Sequence, residues 1–135
     1  MATAGIRPQL EQAIKNLLMG VVGIPIVAGE DALDLPTGEY VLVEAGDAER
    51  RAGQVFTVPM RVQIMGTADQ NGSMALVDQY AKQVYDYLID ECSPLRTLNN
   101  GLVLVCGFFL ADSEEIRGPR TYGEQINVNI TAMLL

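Results

Sequence analysis

The stretch QVFTVPMRVQIMGTADQNGSMALVDQYAKQVYDYLIDEC, residues 54–92, decides the fold. Its first third alternates, with Phe56, Val58, Met60, Val62 and Ile64 on one side of a pleat and Thr57, Arg61 and Gln63 on the other, which predicts a half-buried strand over 55–66. The run Gly66-Thr67-Ala68-Asp69-Gln70-Asn71-Gly72 reads as a turn, after which Ser73 can cap a helix. In that helix Val77, Tyr80, Ala81, Val84 and Leu88 recur at the spacing of one helical face. Strand and helix can bury their apolar sides against each other, giving a two-layer core that further strands extend. No reagent for chemistry lies in the stretch, so the first expectation is an architectural protein.

Working outward toward the amino terminus, residues 7–19 read as an amphipathic helix with Pro8 in its first turn and Leu10, Ile14, Leu17 and Leu18 as its apolar stripe. Gly20 can stop it. Residues 21–38 form a long connection rich in Gly, Pro, Asp and Ala, with a brief apolar piece, Gly23-Ile24-Pro25-Ile26-Val27, in which the period does not decide for a strand. Pro36-Thr37-Gly38 then signals a turn into a short strand over 40–44. Residues 45–54 carry Asp47, Glu49, Arg50 and Arg51 between two glycines and read as a solvated hairpin loop.

Toward the carboxyl terminus the helix ends before Pro94, and a polar connection turns at Asn99-Asn100-Gly101. Residues 102–110 hold apolar side chains at both parities, Leu102, Leu104, Cys106, Phe108 and Leu110 on one and Val103, Val105 and Phe109 on the other. Such a strand is expected to be buried on both faces, the second by another part of this chain or by another subunit. Val103, Val105 and Phe109 are accordingly the candidate subunit-interface residues. Residues 111–125 read as a charged, turn-rich loop with Asp112, Glu114, Glu115, Arg117, Arg120 and Glu124 around Gly118-Pro119, and 126–134 as an alternating strand that returns as a hairpin. The expected architecture is a single α+β domain, 1–135, with a mainly antiparallel four- to five-stranded sheet and two helices packed on one face.

Seventeen acidic against nine basic residues give a formal charge of −8, which argues against a surface that neutralises phosphates. There is no histidine, so the commonest general base and zinc ligand is missing and neither Cys92 nor Cys106 has a Cys–His partner. Both cysteines are expected to be buried thiols. Phosphate-cradling glycine motifs and GxSxG are absent. Asp86, Asp90 and Glu91 read as a solvated helical face rather than a metal site, and Tyr80, Tyr85 and Tyr87 as core and rim. No catalytic residue, metal or cofactor is expected. No apolar run reaches the roughly 20 residues of a membrane helix, and the first eight residues carry no secretory signal, so the expectation is a protein that stays in the cytoplasm where it is made.

The order of these elements resembles the tail terminator, or tail completion, proteins of long-tailed bacteriophages and prophage-like particles. The likeness is carried by a leading helix over 7–19, a gap closed by Pro36-Thr37-Gly38-Glu39-Tyr40-Val41-Leu42-Val43, a polar loop before Val55-Phe56-Thr57-Val58-Pro59-Met60-Arg61-Val62-Gln63-Ile64, a helix over 73–91 and a final long hairpin. Another head–tail connector, or neck, protein is the alternative within the same set. The resemblance implies a homo-oligomer, a sixfold ring that stacks on the tail tube protein, ends tail polymerisation and presents a surface to a head-completion protein. It implies a virion component of the tail or neck, assembled in the host cytoplasm, with DNA only passing through the lumen and no membrane. Asp47, Glu49, Arg50, Arg51, Asp112, Glu114, Glu115, Arg117, Arg120 and Glu124 would then lie on loops facing the lumen or the stacked neighbours. A small soluble oligomeric binding domain of a cellular complex is the competing expectation.

Overall fold

The computed structural model describes residues 5–29, 38–67, 73–90, 96, 98, 99 and 101–135. Among them the chain forms two helices, α1 (Ile6–Leu18) and α2 (Ser73–Ile89), and six strands: β1 (Ile26–Ala28), β2 (Tyr40–Ala45), β3 (Glu49–Ala52), β4 (Val55–Thr67), β5 (Val103–Arg117) and β6 (Thr121–Leu134). The sheet runs β1-β2-β4-β6-β5, with β3 paired to β4 off that path. Strands β1 and β2 are parallel and the other pairs antiparallel. The fold is therefore α+β, on a mixed, open sheet.

Alternation dictates which face is buried. Register places Val41 opposite Ile64, Val43 opposite Val62 and Ala45 opposite Met60, and continues with Met60 opposite Val128 and Val58 opposite Ile130. All of these side chains are buried on one face, and both helices pack there. Helix α1 lies along β1 and β2, burying Ile6, Leu10, Ala13, Ile14 and Leu18, and α2 lies along β4 and β6, burying Val77, Ala81, Val84 and Leu88. Each stripe keeps the helical spacing read from the sequence.

Four expectations are corrected. The apolar piece near Ile26 is a strand, β1, which sequence left undecided because three residues are too few for a period to show. The loop expected over 45–54 contains β3, whose four residues are all exposed and whose turn is made by Gly53 at φ +55. The loop expected over 111–125 is mostly strand: β5 runs to Arg117, and β6 starts again at Thr121, leaving a tight turn closed by the Gly118 N–H to the Thr121 carbonyl at 3.0 Å. Charged side chains hid both because neither β3 nor the outer half of β5 has a buried face.

The fourth correction concerns β5. It is not buried on both faces: irregularities between Val105 and Gly107 and between Leu110 and Asp112 shift the register. Each inserts one residue, and a one-residue insertion changes which parity faces the core. Val103, Val105, Phe108 and Leu110 thus all stand opposite inward residues of β6, namely Leu134, Ala132, Ile130 and Val128. Cys106 sits in the first irregularity and is exposed, not buried. Cys92 and Glu91, the 36–37 part of the turn before β2, the 68–72 turn and the Pro94 stop lie outside the described residues, as does the side chain of Ser73.

Candidate functional site

The sheet face away from the helices is polar across its centre. The Gln63 side chain donates to Gln125 Oε1 at 2.7 Å, and the Gln125 amide donates to Glu114 and to Asn127, each at 2.9 Å. Asn127 in turn donates to Asp112, and Thr57 and Thr131 meet hydroxyl to hydroxyl at 3.4 Å. These are outward positions of three neighbouring strands, so the ladder is a direct consequence of period-two alternation. At its margin Phe109 is 64% exposed.

Toward its turn the β5–β6 hairpin forms an end of the sheet, the arm, which β4 flanks along β6 as far as Thr121. From Ala111 to Thr121 every residue but Ile116 is exposed, on both sides of the ribbon. Its two faces differ. Glu115 and Arg117 point to the helix side, where Arg117 donates to Glu115 at 3.0 and 3.2 Å and lies over the Tyr122 ring at 5.3 Å. That guanidinium holds the Glu115 carboxyl below its usual range. Asp112 and Glu114 point to the opposite face, bonded only to the neutral amides just described. Arg120 is exposed at the turn.

The arm is anchored at its base by α2. The Tyr122 hydroxyl donates to Asp78 Oδ1 at 2.7 Å, which pushes the phenol well above its ordinary range. Burial, reinforced by the Asp78 charge beside it, pushes the Glu124 carboxyl up.

A second feature lies at the far edge of the sheet. An open groove of about 830 Å³ is lined by Ile6, Ala48, Phe56 and Leu134, with Arg7, Arg50 and Arg61 among its polar residues. Arg7 donates to the Ala45 carbonyl at 3.0 Å, and Arg50 lies over the Phe56 ring at 5.4 Å. Arg61 pairs with Glu44 across the β2–β4 ladder. A smaller hollow of about 470 Å³ adjoins it, lined in part by Asp47, Arg7 and Arg61. Glu49 is spent on Arg51 at 3.3 Å, and Arg51 also donates to Thr57 at 2.9 Å.

The structure therefore splits the sequence-derived candidates. Asp112, Glu114, Glu115, Arg117, Arg120 and Glu124 share the arm, while Asp47, Glu49, Arg50 and Arg51 share the opposite edge. Val103 and Val105 are 0% and 4% exposed inside this chain's own core, so neither is open to another chain; of that trio only Phe109 is exposed. Arg7, Glu11 and Tyr122 were not singled out from sequence. Arg7, Glu11, Ile14 and Leu18 follow one helical stripe, and a charged pair inside an apolar stripe was the available signal.

Among the described residues no group of three or more His, Cys, Asp or Glu is placed to hold a metal ion, and no helix is long and apolar enough to cross a membrane. No family model and no curated protein sequence matches the chain.

Proposed function

We propose that this chain is a structural, non-enzymatic component of a bacteriophage or prophage-like particle: a tail terminator that closes into a ring, caps the tail tube, ends tail polymerisation and joins the tail to the head. The observation that carries this reading is the arm. Its outer strand, β5 from Ala111 to Arg117, is a sheet edge with both faces in water save at Ile116, so it adds little to this chain's own core. An arm of this kind suits a partner surface. The polar, helix-free face supports the same reading, because it offers the ring a wettable wall, and the resemblance in element order supplies the particular assembly.

In this reading the partners are further copies of the chain, the tail tube protein and a head-completion protein, and the site of action is the tail or neck of the virion, after assembly in the host cytoplasm. DNA passes the lumen without being held, in keeping with the net charge of −8. The test is the solution mass by light scattering across concentration and salt, with negative-stain images of the same sample and addition of purified tail tubes. Rings of about six chains that cap tubes are the expected result. A neck protein would form rings that ignore tubes.

The groove favours a second reading, a small binding domain whose ligand carries an acidic group opposite Arg7 and Arg50. A protein that stays monomeric and gains thermal stability from such a ligand would favour it.

A further inference from the structure

Four ion pairs join described residues: Arg51 to Glu49, Arg61 to Glu44, Lys82 to Asp86 and Arg117 to Glu115. Arg7 and Arg50 are in none of them, and both line the groove. Each is held in place, Arg7 by the Ala45 carbonyl and Arg50 by the Phe56 ring, so most of the donors of both guanidiniums remain to be used without much loss of side-chain freedom. Beneath them the groove offers apolar surface from Ile6, Ala48, Phe56 and Leu134, and its two carboxylates are already engaged, Glu44 by Arg61 and Glu11 by the Ala45 N–H. Across the molecule, Asp112 and Glu114 are the reverse case. Both project from the outer face of the arm, two residues apart and so about 7 Å along the strand, and neither is in an ion pair.

Strand β5 is one edge of the sheet, and β1 and β3 lie at the other. The unpaired carboxylates and the unpaired guanidiniums therefore sit at opposite ends of the same sheet. A chain with −8 net charge repels its copies at long range, so self-association needs local complementarity of this kind. We infer that the groove at Arg7 and Arg50 receives the β5–β6 arm of a second copy, with Asp112 and Glu114 as the paired carboxylates. The contact is heterologous, each copy giving its arm to the next and taking an arm from the one before, which is the geometry that closes into a ring. This inference rests on the proposed ring and adds the surfaces that join its subunits.

The experiment uses two full-length variants, one with an acidic groove (Arg7→Glu with Arg50→Glu) and one with a basic arm (Asp112→Arg with Glu114→Arg), followed by sedimentation velocity. Each alone is expected to associate roughly thirtyfold or more weakly than the original chain, as loss of desolvated charge pairs does. Mixed together they are expected to assemble again, since each groove then meets an arm of opposite sign. Circular dichroism of both variants checks that each keeps the original fold. Because Arg7 also touches the Ala45 carbonyl, a milder chain with Arg50→Lys alone is treated with a zero-length amine–carboxyl crosslinker after mixing isotope-labelled and unlabelled protein. Linkage between position 50 of one copy and Asp112 or Glu114 of another is the expected product. Association of the original chain that both variants retain, with no such crosslink, overturns the docking inference and leaves the ring standing. An original chain that is monomeric at every concentration and gives no crosslink overturns both.

Discussion

Glu11 shows how one charged residue can close an edge. Odd-numbered residues of β2 direct their backbone groups toward β1, as the Val41 N–H does to the Pro25 carbonyl at 2.9 Å, but β1 ends at Ala28, opposite Val43. The next pair of edge groups, on Ala45, is taken by α1 instead: the N–H donates to Glu11 Oε2 at 2.8 Å and the carbonyl accepts from Arg7. Replacing Glu11 by Ala leaves a buried N–H without that acceptor and is expected to cost about 1–3 kcal/mol in chemical denaturation. Gly29→Ala should act on the same contact, because its Cβ would stand 2.7 Å from Glu11 Oε2. At the base of the arm Tyr122→Phe removes the bond to Asp78 and is expected to cost about 1–2 kcal/mol, measured the same way. Glu124 beside it gives a pH signature. Its folded pKa lies above the ordinary 4.5, so the folded chain binds that proton more tightly than the unfolded chain. Stability is then lost as pH rises from about 4.5 through the raised value, and Glu124→Gln escapes that loss. The variant should match the original chain in thermal melts below pH 4.5 and exceed it at neutral pH; equal melting at both would show that Glu124 is not strained by its surroundings.

Among the elements, the ones legible in the sequence are those with a wet face and a dry face. Helices α1 and α2 and strands β2 and β4 show this, and their spacing alone places them within a residue or two of the observed bounds. Strands β3 and the outer half of β5 have two wet faces, so no alternation marks them and only their partners reveal them. The inner half of β5 misleads for the opposite reason. Its apolar residues at both parities suggest two dry faces, yet the irregularity at Cys106 turns Phe108 and Leu110 back to the face already used by Val103 and Val105. This can be tested by deletion and insertion. Removing Cys106 takes out the inserted residue, so Gly107 follows Val105 in regular alternation and Phe108 and Leu110 stay inward. The shortened chain should remain folded, whereas one residue inserted after Phe108 should send Leu110 outward and destabilise the chain by several kcal/mol in chemical denaturation. Cys106→Ser, at an exposed side chain, should stay within about 0.5 kcal/mol. The candidate site was legible in the same partial way: the charged residues of both edges were visible as charge, but which of them are already paired is decided by registers that only the folded sheet supplies.

On the scale of the whole molecule the net charge is −8, and the helix-free face of the sheet carries amides and hydroxyls at its centre, with its Arg61 paired to Glu44. Such a surface offers no free cations to displace the counterions condensed on DNA phosphates, so double-stranded DNA should slide past it. Asp47, Glu49 and Glu115 are exposed and stand outside the proposed docking pair, which makes them the residues with which to change this property alone. Replacing all three by Lys removes most of the net negative charge while leaving Arg7, Arg50, Asp112 and Glu114 in place, and Glu49 and Glu115 give up only exposed ion pairs of small energetic value. The original chain should not retard DNA in a gel at any salt. The triple-lysine chain should do so at low salt, with affinity falling steeply as salt is added, by a logarithmic slope of about −0.9 for each phosphate neutralised. In the proposed ring these residues line the path of the genome, so particles assembled with the triple-lysine chain should release DNA more slowly and lose infectivity. If the lysines confer DNA binding in the gel but particles release DNA and infect as before, these residues do not line the path, and the wall of the lumen is some other face of the ring.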